Sequence, residues 1–211
     1  MLTEEIKASA ERHAAAMIEF RRDLHGHPEL GMKERRTALR IAEELKKLDG
    51  LEVTEGAAGG TGVIAVLRGG KGKGATVLLR ADIDALPVTE ETGLPFASEN
   101  AGVMHACGHD AEMAALLGAA AVLAEHRDEL TQRVVFLFQP AGEGRSGAKT
   151  LTENHIIEKF DIGRCAAVAW TPELPYSELY TKKGVMTALS DRIHIDIRGT
   201  AGHAAEPHMT V

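Results

Sequence analysis

Hydrophobic residues recur at helical spacing over the first fifty positions. The first group consists of Ile6, Ala10, Met17, Phe20 and Leu24. Their intervals of three, four and seven residues are those of a helix with one buried face. Ala38, Ile41, Ala42, Leu45 and Leu48 repeat the pattern. The chain is therefore predicted to begin with two amphipathic helices.

Short apolar or β-branched runs follow these helices, at residues 51–54, 62–67 and 75–79. Such runs, bounded by turn-forming residues, are typical of β-strands. A glycine-rich segment at 69–74 separates the last two runs. We therefore predict that 62–67 and 75–79 form a hairpin across this turn.

Three later segments are apolar without alternation. Residues 111–124 predict a fully buried helix, and 134–138 predict a central strand covered on both faces. A further buried strand is predicted at 165–169, with Cys165 as a core thiol. The predicted fold class is α/β, with a mixed sheet covered by helices.

The last part of the chain has a different pattern. Ile193, Ile195 and Ile197 alternate with polar residues, which predicts a half-exposed strand. We place a domain boundary near Thr187, so that one domain covers 1–186 and a second begins over 187–211. The second segment is too short to close a core, and we expect the second domain to be incomplete.

Composition narrows the class of protein. The 211 residues are 44% hydrophobic and 26% charged, with no apolar run near the roughly 20 residues that cross a bilayer. The first residues lack the pattern of an export signal, so we expect a cytoplasmic protein without a membrane partner. The net charge of -7 and the lack of a basic cluster argue against nucleic acid as a partner. Two cysteines are too few for a disulfide framework.

Metal-ligand residue types follow several predicted strands. Cys107 and His109 flank Gly108 just before the buried helix, and a thiolate with an imidazole suits zinc. Asp82 and Asp84 follow one strand, and Glu143 follows the next one, where active sites of open α/β sheets gather. The alternative is structural: a core cysteine, a capping histidine and turn-forming carboxylates.

Six segments together carry a resemblance to a known family. They are 24–30 (LHGHPEL), 80–87 (RADIDALP), 91–96 (ETGLPF), 104–110 (MHACGHD), 139–149 (QPAGEGRSGAK) and 202–208 (GHAAEPH). In this order and spacing the chain resembles, from about Ile18 onward, the M20 metal-dependent amidohydrolases that cleave N-acyl amino acids. The resemblance implies a zinc-exopeptidase-like catalytic domain over 1–186 and the start of an α+β lid and dimerisation domain over 187–211.

The resemblance also implies roles for individual residues. Two divalent ions, of zinc, manganese or cobalt, are expected, with Cys107, His109 and Glu143 as ligands. Asp84 matches the carboxylate that orients a ligand side chain, and His203 matches a lid histidine that steadies the developing oxyanion. The implied reaction is hydrolysis of the amide bond of a small N-acyl amino acid by a homodimer.

This sequence departs from the family pattern at the site itself. Gly142 stands where the pattern has a glutamate that serves as general base, and Ala169 stands where it has a histidine ligand. Glu112 replaces another histidine, and a polar supporting role is expected for it. The segment that supplies the last histidine ligand is absent from the 211 residues. An alternative function is therefore that of an inactive, truncated or decayed paralogue that keeps the fold.

A second alternative comes from the glycines at positions 142, 144 and 147. Gly142, Gly144 and Gly147 match the G-x-G-x-x-G pattern of dinucleotide-binding loops, with Asp161 at nearly the expected distance. The spacer at 139–141 lengthens the tight turn that a pyrophosphate requires. We therefore rank a dinucleotide-binding protein below the metal-dependent hydrolase.

Overall fold

A computed structural model describes residues 2–71, 74–144, 147–175, 178–186, 193–196 and 198–210. The chain divides into two compact units, Met1–Thr171 and Pro172–Val211, and each is described by itself. The predicted domain boundary near Thr187 falls on residues 187–192, which lie outside the described ranges. The division into domains at 186 and 187 stays a prediction.

The first unit alternates helices and strands. Its helices and helical turns are α1 (Leu2–Gly26), α2 (Arg35–Leu45), α3 (Ala57–Gly60), α4 (His109–Glu125), α5 (Gly147–Glu153) and α6 (Ile156–Lys159). Its strands are β1 (Leu51–Gly56), β2 (Gly62–Leu67), β3 (Gly74–Asp82), β4 (Gln132–Gln139) and β5 (Ile162–Ala167). Short 3-10 turns lie at Arg127–Glu129 and, in the second unit, at Pro207–Met209.

The five strands form one mixed sheet in the order β1-β2-β4-β3-β5. Strand β2 is antiparallel to β1 and to β4, whereas β3 is parallel to both β4 and β5. The predicted α/β class with a mixed sheet is thereby confirmed. The predicted central strand is also confirmed, since Val135, Phe136 and Phe138 of β4 are fully buried.

The predicted hairpin of 62–67 with 75–79 is wrong. Strand β4 lies between β2 and β3 and pairs with both of them. The tight connection of the sheet instead joins β1 to β2. The apolar run of β4 needs cover on both edges as well as both faces, and its insertion between β2 and β3 provides this.

Helices cover both faces of the sheet, as the sequence predicted. Helices α1, α2 and α4 pack on one face around a core that includes Phe20, Ile41 and Phe136. The other face holds a smaller core with Leu151 of α5 and Ile156 of α6. Helix α4 joins the larger core through Met113, Leu117 and Ala120, in agreement with the buried helix predicted at 111–124.

Two predictions at the carboxyl-terminal end of the chain need correction. Strand β5 spans Ile162–Ala167 and is an exposed edge strand, so Cys165 is an exposed thiol and not a core thiol. Residues 193–196 are exposed and adopt no regular structure, and Ile197 lies outside the described ranges. In both places an apolar sequence lacks, among the described residues, the neighbouring layer or strand that would cover it.

Among the described residues, none of the helices is both long enough and apolar enough to cross a membrane.

Candidate metal centre

The sheet topology brings the candidate residues to one edge. Strands β3 and β4 are parallel and in register, with Asp82 opposite Gln139. Asp84 follows the end of β3 by two residues, and Glu143 follows the end of β4 by four. Both carboxylates therefore lie at the carboxyl edge of the parallel strands, where side chains from successive loops converge.

The segment 107–109 forms the entry into helix α4. Gly108 has a left-handed conformation with φ of 82°, which glycine adopts without steric cost, and His109 begins the helix. The Gly108 carbonyl accepts hydrogen bonds from the amides of Ala111 and Glu112 at 3.0 and 3.1 Å. The apolar remainder of α4 anchors this turn in the core.

His109 is oriented by Asp84. Its Nδ1 lies 2.7 Å from the main-chain oxygen of Asp84 and 3.3 Å from Asp84 Oδ1. Because a carbonyl oxygen can only accept, Nδ1 carries a hydrogen, and Nε2 is the ring nitrogen left to bind a metal once it has lost its own proton. The Nε2 atom lies 3.7 Å from Glu143 Oε1. The ring is buried, so its orientation is fixed by packing as well.

Cys107 and Glu143 complete a group of three metal-binding side chains. The ligand-type atoms of Cys107, His109 and Glu143 all lie within 4.8 Å of one another. Cys107 and Glu143 are exposed and His109 is buried, which leaves an open side toward solvent. The structure thus brings together the three residues that the sequence analysis named as ligands.

The charges around this group suit a cation. Loss of surrounding water, a hydrogen bond to Glu143 and the nearby carboxylates raise the pKa of the Cys107 thiol to about 11. Burial acts to lower the pKa of His109, but its contacts with Asp84 and the charge of Asp82 raise it to about 9. The donor set of thiolate, imidazole and carboxylate is one that zinc prefers. These residues therefore fit a divalent metal ion.

Asp84 connects the two loops of the site. Its Oδ2 accepts a hydrogen bond from the amide of Glu143 at 2.9 Å, so one carboxylate contacts both His109 and Glu143. Burial acts to raise the pKa of Asp84, but the hydrogen bonds from His109 and the Glu143 amide lower it. Asp84 thus lies where a carboxylate that orients ligands is expected. It is not among the side chains grouped as possible ligands.

A second group shares His109 with the first and adds two carboxylates, Asp82 and Glu112, that were not predicted as ligands from the sequence. Asp82, His109 and Glu112 also place ligand-type atoms within 4.8 Å of one another. Glu112 lies one helical turn after His109, and that spacing was the available signal. Burial raises the pKa of both Asp82 and Glu112. Asp82 is paired with Arg80 at 2.7 Å, which offsets part of the negative charge.

Two of the departures from the family pattern, Gly142 and Ala169, lie near the candidate ligands. An ideal Cβ on Gly142 would stand 2.5 Å from Asp82 Cγ, so the Asp82 side chain occupies the adjoining space. The chain after β5 passes the metal-binding turn, since Trp170 Cβ lies 3.5 Å from the position of a Cβ on Gly108. Ala169, beside Trp170, is exposed and offers no ligand atom.

The glycine-rich loop after β4 does not favour a dinucleotide. A pyrophosphate site needs free amide groups that point at the anion. Here the amide of Glu143 already donates to the carboxylate of Asp84. An anion at this place would also meet the charge of Asp84, and Arg145 and Ser146 of the pattern lie outside the described ranges.

His203 belongs to the second unit and is described with that unit alone. It is exposed, and its Nδ1 accepts a hydrogen bond from the amide of Ala205 at 3.2 Å. Its role toward an oxyanion stays a prediction.

A buried polar network behind the site was not assigned a role from the sequence. His25 lies between Asp110 and Glu90, and all three side chains are buried. His105 is buried nearby, with its ring centroid 6.4 Å from that of His25, and burial lowers its pKa to about 4. The spacing of His25 and Asp110 in the sequence, 85 residues, gave no sign of this contact.

Comparison with known proteins agrees with these features. The sequence model of the family described as "Peptidase family M20/M25/M40" matches residues 78–206. The chain is 40% identical over 212 residues to thermostable carboxypeptidase 1 of Saccharolobus solfataricus, and the match covers 100% of this chain and 53% of that protein. It is 40% identical over 196 residues to N-acetyldiaminopimelate deacetylase of Halalkalibacterium halodurans, covering 92% of this chain and 51% of that enzyme.

A solved structure with the same fold is that of a dinuclear metal-binding peptidase of the M20 family from Bacillus subtilis. The TM-score is 0.71 at 40% sequence identity, and the match covers 80% of this chain and 45% of that one. The chain spans about half the length of the relatives that it matches.

Proposed function

The chain belongs to peptidase family M20/M25/M40, and from that premise we propose that it serves the metal-dependent hydrolysis of the amide bond of N-acyl amino acids. The observation that carries the proposal is the convergence of Cys107, His109 and Glu143 within 4.8 Å at the carboxyl edge of the parallel strands. The deacetylases among its relatives support the substrate class, since N-acetyldiaminopimelate is an N-acyl amino acid.

In this proposal Cys107, His109 and Glu143 hold a divalent ion. When bound, such an ion supplies a Lewis acid that polarises an amide carbonyl and activates water. Asp84 keeps the hydrogen of His109 on Nδ1 and fixes the Glu143 backbone, so that both ligands keep their places without further ordering. The thiolate of Cys107 favours zinc or cobalt over harder ions such as manganese.

Residues outside the described group are assigned by the family pattern alone. We propose that 187–211 begin a lid and dimerisation domain and that His203 steadies the negative charge that develops on the carbonyl oxygen. A homodimer and a cytoplasmic location belong to the same proposal.

A second candidate function, that of a metal-binding relative without turnover, is favoured by one observation. Position 142 has no side chain, and Asp82 lies against it. General-base assistance is typically worth about 10²- to 10⁴-fold in rate, so its loss would leave a slow enzyme or an inactive one.

Hydrolysis of a pooled set of N-acetyl and N-benzoyl amino acids by the purified chain separates these candidates. The assay uses added zinc, manganese or cobalt, a chelator control and the Cys107→Ser variant. We expect turnover that the chelator and the variant both abolish. Metal binding without turnover under any condition would favour the inactive relative, and absence of metal binding as well would contradict both candidates.

A further inference from the structure

The last turn of helix α1 contacts the first turn of helix α4 through a buried histidine. His25 Nδ1 lies 2.9 Å from Asp110 Oδ2, and His25 Nε2 lies 3.2 Å from Glu90 Oε1. The side chains of His25, Asp110 and Glu90 are 6%, 1% and 3% exposed. The ring therefore bridges two carboxylates that come from different parts of the chain, with a ring nitrogen directed at each.

Asp110 is bonded through the main chain to His109. It lies in the first turn of α4 and also accepts a hydrogen bond from Arg21 of α1 at 3.0 Å. Helix α1 thus holds α4 at the residue next to a proposed metal ligand. Any shift of Asp110 also moves the turn of Cys107, Gly108 and His109, because that turn is tied to the helix by the Gly108 carbonyl.

Glu90 fixes the segment that leads to the metal-binding turn. Its carboxylate accepts hydrogen bonds from the Ser98 amide at 2.7 Å and from Thr92. The same segment is tied to the end of α1 by the Glu99 amide, which donates to the Gly26 carbonyl at 2.8 Å. His25 therefore joins three pieces of backbone: the end of α1, the segment 87–104 and the start of α4.

Stability alone is a weak reason for such a network. Burial of ionisable groups costs free energy that the mutual attraction often only balances, and apolar residues of similar volume are frequently as stable. A fixed geometry, by contrast, requires directed hydrogen bonds. We propose that His25 is a positioning residue of the metal centre: it holds Asp110 and thereby the placement of Cys107 and His109. This inference rests on the proposed function.

The chain offers a matched control at the other end of the same two helices. His13 of α1 lies with its Nε2 2.8 Å from Oε1 of Glu125, the last residue of α4, and Ser9 and Arg12 contact the same carboxylate. His13 is therefore also a histidine of α1 that contacts a carboxylate of α4. It lies at the opposite end of α4 from the metal-binding turn, so its loss weakens the contact between α1 and α4 away from that turn.

The experiment measures zinc affinity by chelator competition, the absorption spectrum of the cobalt-loaded chain and the thermal midpoint without metal. It compares the wild type with His25→Ala, His25→Asn, His13→Ala and Cys107→Ser. We expect His25→Ala to weaken zinc binding about 10- to 100-fold and to change the cobalt spectrum. A loss of this size is typical when a residue that helps to orient the metal ligands is removed. His13→Ala should lower the thermal midpoint and leave affinity and spectrum unchanged.

His25→Asn tests the direction of the contact, because its amide can replace Nδ1 toward Asp110 and cannot reach Glu90. Partial recovery of zinc affinity relative to His25→Ala is expected, and this variant also covers the case in which His25→Ala fails to fold. Unchanged affinity in both His25 variants, with wild-type binding that depends on Cys107, would overturn this inference alone. A cobalt spectrum of the wild type that does not depend on Cys107 would instead overturn the proposed metal centre and this inference with it.

Discussion

The carboxylate of Asp82 lies against the backbone of Gly142, so that an ideal Cβ on Gly142 would be 2.5 Å from Asp82 Cγ. Two contacts hold Asp82 there, since Arg80 pairs with it at 2.7 Å and Gln139 donates to it at 3.0 Å. The position that holds a general base in the family pattern is therefore both without a side chain and closed by its neighbour.

Gly142→Glu is expected to raise the rate of metal-dependent hydrolysis by about 10²- to 10⁴-fold, because it supplies a proton acceptor beside the proposed metal ligands. It should also lower the free energy of unfolding by about 1 to 3 kcal/mol, since Asp82 must move. Steady-state kinetics and urea unfolding measure the two effects. Gly142→Gln is the control, because it has the same bulk and no basic carboxylate; an equal gain in rate from this variant would contradict the prediction.

A second prediction concerns Glu34, which is fully buried. Its carboxylate accepts hydrogen bonds from the Thr61 hydroxyl and the Ala141 amide, each at 2.8 Å. Glu34→Ala leaves these buried donors unpaired, and each is expected to cost about 1 to 3 kcal/mol of unfolding free energy. Glu34→Gln can still accept from Ala141 and should lose much less. Urea unfolding of both variants tests this, and equal losses would argue against the hydrogen bonds as the cause.

A third prediction concerns Glu125 at the end of α4, whose contacts with α1 should make the thermal stability depend on pH. Hydrogen bonds from Ser9 and His13, and then from Arg12, lower the pKa of Glu125 to about 2. A lowered pKa means that the ionised carboxylate stabilises the fold above its ordinary pKa near 4.5 and that this contribution is lost as the pH falls through 2. Thermal midpoints of the wild type and of Glu125→Gln should therefore converge between pH 5 and 2.

High salt should reduce the same difference, since Glu125 is partly exposed and its ion pairs are screened. A difference between the two proteins that is constant across this pH range would show that the charge of Glu125 does not contribute.

Local periodicity predicted most of the elements, but not the neighbours of each strand. The helical spacing of Phe20 and Leu24 and the apolar run of β4 correspond to α1 and to the central strand. Sequence order suggested that β2 pairs with β3, whereas β4 lies between them. The pairing depends on which strand can fill the centre of the sheet, and that is decided by contacts between distant residues.

For the candidate site too, local sequence predicted some residues, whereas contacts between distant residues could not be predicted. Cys107 and His109 share a motif, and Glu143 follows a recognisable strand, so these three residues could be predicted as ligands from the sequence. The contact of His25 with Asp110 joins positions 85 residues apart. The exposure of Cys165 also could not be read from the apolar sequence around it, because exposure depends on what packs against β5.

The most direct test of the metal centre is a cobalt titration of the wild type, followed by absorption, beside Cys107→Ser and His109→Ala. A thiolate ligand gives an intense charge-transfer band in addition to the visible bands of the ion. We predict this band in the wild type, its loss in Cys107→Ser, and weaker binding by His109→Ala. Identical spectra and affinities in all three proteins would contradict the assignment of Cys107 and His109 as ligands and, with it, the proposed metal-dependent hydrolysis.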